Sequence, residues 1–260
     1  MTAMSPRKRR ISAAFSAAAT GYDAVAGMQE RVADGLAARL AGLALPPGPV
    51  VEIGCGTGLL TRRLPAVVGR ERVLLASDLS PAMLARARAR LPDAGIAFAA
   101  MDGEAPALAE GACALVVSSL AAQWFGDLGA ALARLARLLV PGGRLVLTLP
   151  GAGSFAEWTA AHHRLGYQPG TPDFPAAAAL WALLPPGGTG RIDSETLIET
   201  HADGLAFVRA VAALGAAVPR PGHRPLAPGQ LRRVIATLGA PCRLSWVIHT
   251  LTFTRAGDPA

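Results

Sequence analysis

Short apolar runs alternate with longer amphipathic segments between residues 49 and 150 of the chain. The apolar runs span residues 49–53, 72–77, 96–101, 113–118 and 144–149. Runs of this length predict buried strands, and the segments between them predict helices because their apolar residues recur every three or four positions. Strands that alternate with helices predict an α/β fold, doubly wound and mainly parallel, with helices on both faces of the sheet.

Two of the predicted helices carry clear boundary signals. Ser80 and Pro81 are typical of a helix start, since a hydroxyl N-cap is followed by proline at the first helical position. From Met83 onward, apolar residues fall on one face of this helix and arginines largely on the other. In the second helix leucines recur from Leu128 to Leu139, and the Pro-Gly-Gly at residues 141–143 predicts its end.

The flanking segments are expected to complete one domain over residues 1–260. Residues 11–45 have apolar positions at helical intervals and predict a helical cap, ahead of a core at 46–150. Residues 151–192 are rich in proline and glycine around one apolar segment, which predicts a lid or insertion. The last part, 193–260, contains alternating runs at 194–201 and 243–252, which predict antiparallel edge strands and a sheet of seven strands.

The first strand leads into the most informative stretch, VEIGCGTG at residues 51–58. Glycines at alternate positions allow the backbone to turn sharply after a strand and to approach a ligand closely. Asp78 lies 20 residues after Gly58, at the end of the next predicted strand. A carboxylate in that position accepts hydrogen bonds from ribose hydroxyls. The loop and the carboxylate together predict a nucleotide-type cofactor at the carboxyl ends of the strands.

The composition narrows the chemistry of such a site. Lys8 is the only lysine, which excludes a phosphate-binding Gly-Lys-Ser/Thr loop and a Tyr-x-x-x-Lys reductase dyad. The G-x-G-x-G spacing also differs from the G-x-G-x-x-G of dinucleotide sites. Because Cys55, Cys113 and Cys242 are dispersed, they favour a reduced, cytoplasmic setting over a disulfide framework or a thiolate metal site.

The charge balance leaves two interpretations open. The formal net charge is +7, from 25 basic and 18 acidic residues. A cationic surface attracts nucleic acid, anionic lipid or an acidic protein, whereas a chain rich in Ala, Gly, Pro and Arg also reflects a biased genome. No uninterrupted apolar run reaches the roughly 18–20 residues that span a bilayer, so no membrane span is predicted. The basic N-terminus resembles a transit peptide, but a helical start to the folded chain is the preferred interpretation.

At these motifs the sequence resembles the class I S-adenosylmethionine-dependent methyltransferases, which have a Rossmann-like sheet. VEIGCGTG (51–58) is similar to their first motif, and ASDLSPAML (76–84) is similar to their second. MDGEAP (101–106) is similar to the acidic step after their third strand, and LLVPGGRLVLT (138–148) to the turn into their fifth. The resemblance implies S-adenosyl-L-methionine as cofactor, S-adenosylhomocysteine as product, and no metal.

The resemblance also implies roles for individual residues. Glu52 and the glycine-loop backbone would hold the methionine part of the cofactor, Asp78 the ribose hydroxyls, and Asp102 the adenine amine. The serines at the end of the fourth strand would lie beneath the reactive sulfonium. The full set of expected cofactor contacts is Glu52, Gly54, Cys55, Gly56, Gly58, Asp78, Leu79, Met83, Asp102, Gly103, Ser118 and Ser119.

The flanks are most similar to the malonyl-acyl-carrier-protein O-methyltransferases of biotin synthesis. The similar segments are residues 13–40, which match their N-terminal helix, 118–143, after their fourth strand, and 207–216, in a later helix. Ala212 stands where that family has a lysine, and the Ser-Trp-Val of residues 245–247 where it has a tyrosine. The resemblance implies methylation of the free carboxylate of a malonyl thioester, carried by an acidic acyl carrier protein in the cytoplasm.

The residues themselves favour a carboxylate acceptor. A carboxylate is already ionised at neutral pH and needs no general base, and none of the five histidines stands in a recognisable base motif. We expect Tyr22 and Arg209 to bind and position the acceptor, because a guanidinium fork suits a carboxylate or a thioester carbonyl. Gln123 and Trp124 are expected to line the same pocket.

Several other functions remain compatible with the sequence. Another small carboxylic acid or small molecule is an alternative acceptor, and a related lineage on this fold comprises hydroxylases or assembly factors of respiratory complexes. A nucleic-acid methyltransferase would suit the net charge, but aromatic residues for base stacking are few, at 5%. A non-catalytic cofactor-binding protein is disfavoured by the intact glycine loop and Asp78. The oligomeric state stays open.

Overall fold

The computed structural model describes residues 4–92 and 95–257. The helices are α1 (Pro6–Ala18), α2 (Gly27–Leu40), α3 (Leu64–Val68), α4 (Pro81–Arg90), α5 (Leu128–Arg137), α6 (Ala156–Arg164), α7 (Ala177–Ala182), α8 (Gly204–Ala213) and α9 (Pro228–Ala236). The strands are β1 (Val50–Ile53), β2 (Leu74–Asp78), β3 (Ile96–Ala100), β4 (Cys113–Ser119), β5 (Leu139–Pro150), β6 (Gly188–His201) and β7 (Cys242–Arg255). None of the helices in these described ranges is long and apolar enough to cross a membrane.

The described strands form one seven-stranded sheet in the order β3-β2-β1-β4-β5-β7-β6. Strands β1 to β5 pair in parallel, whereas β7 runs antiparallel to both β5 and β6. This confirms the predicted α/β class, with a mainly parallel sheet and antiparallel strands at one edge. Every residue of β1 is buried, because helices cover both faces of a central parallel strand.

Three differences between the predicted and the observed element boundaries exceed one or two residues and bear on the cap, the sheet and the lid. Helix α1 begins at Pro6, ahead of the expected cap, because the Ser5 side chain accepts a hydrogen bond in its first turn. Helix α5 ends at Arg137, since Leu139 already pairs with β4 as the first residue of β5. The expected lid contains α6 and α7, and its boundary at 192 falls inside β6, which begins at Gly188.

The N-terminal helices lie over the edge where β1 and β2 end. On α1, the Ser12 Oγ donates a hydrogen bond to the Leu79 carbonyl at 3.2 Å, and the Ser16 Oγ lies 2.7 Å from the Ser80 Oγ. Helix α2 buries its apolar face, including Leu36, against the core beside β1. The cap therefore covers the carboxyl ends of the central strands.

Candidate functional site

The glycine loop turns tightly after β1. Gly54, Gly56 and Gly58 have φ values of +71°, +55° and +89°, a left-handed backbone that favours glycine. At Gly54 space is short as well, since a Cβ there would lie 2.3 Å from the Ala121 Cβ. Around Gly56 no atom of the described residues, apart from those of Gly56 and its two chain neighbours, lies within 4 Å of such a Cβ. The loop thus packs closely at its first glycine and is open at its second.

Asp78, at the end of β2, closes the loop from the neighbouring strand. Its Oδ2 accepts a hydrogen bond from the Gly56 N–H at 2.8 Å, and its Oδ1 accepts one from the Ser80 N–H at 2.7 Å. Burial raises the pKa of this carboxyl group, and the backbone donors of Ser80, Gly56 and Leu79 partly offset the rise. Asp78 is thereby held rigidly, with acceptor oxygens at the edge of the sheet.

Glu52 lies buried beneath the same loop. Its Oε2 accepts a hydrogen bond from the Thr61 Oγ1 at 2.6 Å. Burial raises the pKa of Glu52 to about 8; the Thr61 hydrogen bond opposes the rise and the nearby Asp78 carboxyl group adds to it. At pH 7 this carboxyl group therefore holds its proton, and a cationic ligand group beside it would favour the ionised form.

Ten of the twelve expected cofactor contacts line one cavity at the carboxyl ends of the strands. They are Glu52, Gly54, Cys55, Gly56, Asp78, Leu79, Met83, Asp102, Gly103 and Ser119. We call this the cofactor cavity. Gly58 and Ser118 do not line it. Gly58 lies against Ala87 of α4, and the Ser118 Oγ donates to the Ile53 carbonyl at 2.7 Å inside the sheet, so both support the loop from behind.

Helix α1 contributes residues that the sequence analysis did not assign to the site. Lys8, Ser12 and Phe15 line the cofactor cavity. The Lys8 Nζ lies 2.5 Å from the Asp102 Oδ2 and 2.6 Å from the Glu104 Oε2. Burial alone would lower the pKa of Lys8, but the hydrogen bonds to both carboxylates outweigh it and raise that pKa. A single lysine in a basic tract carries no signal of a partner 94 residues away.

A second cavity, of about 470 Å³, adjoins the first. Five residues line both cavities and form what we call the junction: Phe15, Tyr22, Gln29, Leu120 and Trp124. Gln123 lines the second cavity only. The remaining wall is mainly apolar and contains a group of large aromatic side chains, namely Phe155, Trp158, Phe174, Phe207 and Trp246.

Two polar side chains stand at the junction. Tyr22 lies in a short 3₁₀ turn, Tyr22–Ala24, and the Asp23 Oδ1 ties this turn to the glycine loop by accepting from the Thr57 Oγ1 at 2.6 Å. Burial, with Asp78 and Asp23 nearby, raises the pKa of Tyr22, so the phenol stays neutral and is a hydrogen-bond donor. The Oε1 of Gln29 is buried and has no hydrogen-bond partner within the described ranges. The sequence feature that could have indicated this site is Gln29 itself, a polar residue between the apolar positions Met28 and Val32 of α2.

Arg209 lies apart from the other predicted residues. It is exposed on α8 and lines neither cavity. Its neighbours Val208 and Ala210 do line the second cavity, as does Ala212, where the resembled family has a lysine. The structure thus brings Tyr22, Gln123 and Trp124 to the second cavity and leaves Arg209 on the outer face of its helix.

Comparison with known proteins decides the family. A family model described as "Methyltransferase domain" matches residues 51–147. Over 97% of its length the chain is 38% identical to a malonyl-[acyl-carrier protein] O-methyltransferase of Magnetococcus marinus, of which it covers 94%. The chain belongs to this methyltransferase family. The methyltransferase is also 47% identical, over 87% of its length, to the biotin biosynthesis bifunctional protein BioCD of Bordetella avium, and it spans 48% of that longer protein.

Solved structures show the same fold as this methyltransferase. The YcgJ protein of Bacillus subtilis has a TM-score of 0.63 at 14% identity, over 87% of this chain and 99% of that one. Phosphoethanolamine N-methyltransferase 2 of Haemonchus contortus, in complex with S-adenosyl-L-methionine, has a TM-score of 0.57 at 16% identity, over 93% of this chain and 57% of that one. The family and the fold together make this chain an S-adenosylmethionine-dependent methyltransferase.

The cofactor cavity suits the chemistry of S-adenosylmethionine. The cofactor offers hydroxyl, amine and ammonium donors, and the wall presents the carboxyl groups of Glu52, Asp78 and Asp102. Gly103 allows the backbone to lie close to this wall, because a Cβ there would meet the Ile53 Cγ2 at 2.3 Å. The carboxyl groups of the wall, as hydrogen-bond acceptors, and the close glycine backbone therefore fit the cofactor that the family uses.

Proposed function

We propose that this methyltransferase methylates the free carboxylate of a malonyl thioester carried by an acyl carrier protein. The relatives reported above include an enzyme named for this reaction. The observation that carries the proposal is the composition of the junction, where an acceptor would meet the methyl group. Of the five described residues there, only Tyr22 titrates, and its raised pKa keeps it neutral.

A junction without a base suits an acceptor that is already ionised. A carboxylate needs no proton removed at neutral pH, whereas an amine or phenol acceptor would benefit from a general base. His162, His201 and His223 line the second cavity but not the junction, and burial lowers the pKa of His162. The structure thus supports positioning, rather than proton abstraction, as the source of catalysis.

In this reaction we assign hydrogen bonding of the acceptor to the polar residues of the junction and exclusion of water to its aromatic residues. When bound, the cofactor would supply a methyl group on a sulfonium centre. An oxygen lone pair of the acceptor carboxylate would form the new C–O bond while the C–S bond breaks and its electron pair stays on sulfur. We assign the hydrogen bonds that hold the acceptor carboxylate to the Tyr22 hydroxyl and the Gln29 Nε2, because a carboxylate only accepts and the Gln29 Oε1 cannot donate. Phe15 and Trp124, whose rings meet edge to face at 5.4 Å, exclude water. A dry junction favours this step because opposite charges are neutralised in it.

The second cavity supports an acceptor that is delivered on a long arm. Its volume of about 470 Å³ suits an extended arm better than a malonyl group alone, and its aromatic walls can pack against the methylene and methyl groups of such an arm. The setting we propose is the cytoplasm, because Cys55, Cys113 and Cys242 are all buried free thiols.

A labelled-methyl assay tests the proposal. Malonyl-, succinyl- and glutaryl-carrier protein and an RNA pool are offered in parallel to the wild type and to Tyr22→Phe. We expect label on malonyl-carrier protein as a base-labile methyl ester, and a loss of roughly tenfold in kcat/KM for Tyr22→Phe from one hydrogen bond to a charged group. Label on RNA with none on any acyl substrate would overturn the proposal.

A further inference from the structure

One long segment of the chain contains basic residues and no acidic ones. From Gly204 to Gly257 the sequence contains seven arginines and no acidic residue. The other 18 basic residues of the chain are matched in number by its 18 acidic residues. The segment that contains α8, α9 and β7 therefore has a formal charge of +7, and the charges of all other residues sum to zero.

Part of this segment surrounds the second cavity. Arg209 on α8, Arg232 on α9 and Arg224 between these helices are all exposed. Each directly follows a residue that lines the second cavity, in the pairs Val208–Arg209, His223–Arg224 and Leu231–Arg232. In each pair the first residue forms part of the cavity wall and the arginine beside it is exposed, so the three arginines lie next to the second cavity; we call them the rim arginines.

The rim arginines have no acidic partner in the part of the chain that the structure describes. No ion pair involves Arg209, Arg224 or Arg232, whereas arginines elsewhere, such as Arg63 and Arg90, are paired with carboxylates. A surface of one sign beside a cavity raises the association rate of an oppositely charged partner. The three rim arginines are thus exposed and unpaired within the described residues, next to the cavity that we assign to the acceptor.

We propose that Arg209, Arg224 and Arg232 form the docking surface for the acidic acyl carrier protein, whose thioester arm enters the second cavity between them. The inference rests on the proposed function and assigns its partner a position on the fold. Charge complementarity and the continuity of the rim with the acceptor cavity support this occupant. In this proposal Arg209 binds the carrier protein at the surface and does not contact the acceptor group inside the second cavity.

The test compares a triple variant, Arg209→Gln with Arg224→Gln and Arg232→Gln, with a matched control. The control replaces Arg31, Arg70 and Arg88 by Gln; these arginines are exposed, form no described ion pair and line neither cavity. Both proteins and the wild type receive malonyl-carrier protein or malonyl-pantetheine, which has the arm without the protein. For the rim variant we expect KM for malonyl-carrier protein to rise roughly tenfold with kcat within twofold. The rates with malonyl-pantetheine, and all rates of the control, stay within about twofold.

The same variants separate docking from methyl transfer. Binding of unacylated holo carrier protein, measured by fluorescence anisotropy, is expected to weaken with added salt for the wild type and to be roughly tenfold weaker in the rim variant. If that pattern holds while no malonyl thioester is methylated, the surface stands and the proposed function fails. Equal loss with both acceptors, or unchanged KM and binding in the rim variant, overturns the docking surface. The docking surface is also overturned if the rim variant loses binding of RNA but keeps binding of the carrier protein.

Discussion

Lys8 on the N-terminal helix is ion-paired with Asp102 beyond β3, with 2.5 Å between Nζ and Oδ2. The same ammonium group contacts Glu104, whose Oε1 accepts hydrogen bonds from the N–H groups of Gly126 and Asp127, each at 2.9 Å. The only lysine of the chain therefore fastens α1 across the wall of the cofactor cavity. We expect entry or exit of the cofactor on this side of the cavity to disturb that contact.

We expect Lys8→Met to release the cofactor product faster. An ion pair with 19% and 30% side-chain exposure contributes up to about 1 kcal/mol, which corresponds to a dissociation rate roughly fivefold higher. Stopped-flow fluorescence of Trp124, which lines both cavities, measures the dissociation of S-adenosylhomocysteine. Arg9→Gln, on the same helix, serves as the control and should leave the rate unchanged. An unaltered or slower rate in Lys8→Met would contradict the fastening role.

Asp78→Ala should weaken cofactor binding strongly. If its oxygens accept the ribose hydroxyls, the loss is about 1.5–3 kcal/mol, or roughly 10- to 150-fold in Kd. Calorimetric titration with S-adenosylhomocysteine measures it. Asp78→Asn keeps one acceptor oxygen for the Gly56 N–H and should show a smaller loss, which separates ligand contact from collapse of the loop. Unchanged affinity in Asp78→Ala would refute the ribose assignment.

The stability of the protein should depend on the ionisation of Glu52. The pKa of Glu52 is raised from 4.5 to about 8 in the folded state, so its stabilising contribution is complete below about pH 4.5 and is lost as the pH rises through about 8. We expect the free energy of unfolding of the wild type to fall relative to Glu52→Gln by roughly 1 kcal/mol per pH unit between pH 5 and 8. Urea unfolding at several pH values measures this difference. A difference that is independent of pH would show that Glu52 is ionised throughout.

The first two glycines of the loop should respond differently to alanine. Both have positive φ, which costs about 1–2 kcal/mol for alanine. Gly54→Ala adds a contact of 2.3 Å with the Ala121 Cβ, while the space at Gly56 is open. We expect Gly54→Ala to lower the free energy of unfolding by about 1–3 kcal/mol more than Gly56→Ala. If both variants lose the same free energy of unfolding in urea, the segment around Ala121 moves away from the new methyl group without strain.

Much of the fold was accessible from local patterns in the chain. The short apolar runs became β1 to β5, and the two alternating runs became β6 and β7, because side-chain periodicity is fixed by backbone geometry within each element. The glycine loop and Asp78 were predictable for a related reason. A positive φ and a carboxylate at a strand end are properties of single positions, and parallel strands bring their carboxyl ends to one edge.

Contacts between distant segments could not be predicted in this way. Lys8 meets Asp102, and Gln29 reaches the junction, only because α1 and α2 pack over the sheet at one particular rotation and depth. Arg209 is a further example. The sequence predicted that its helix lies near the acceptor, but it could not predict that the Arg209 side chain is on the exposed face of that helix. Which side chains of two packed elements face each other is set by the interlocking of whole surfaces, and no residue carries that information alone.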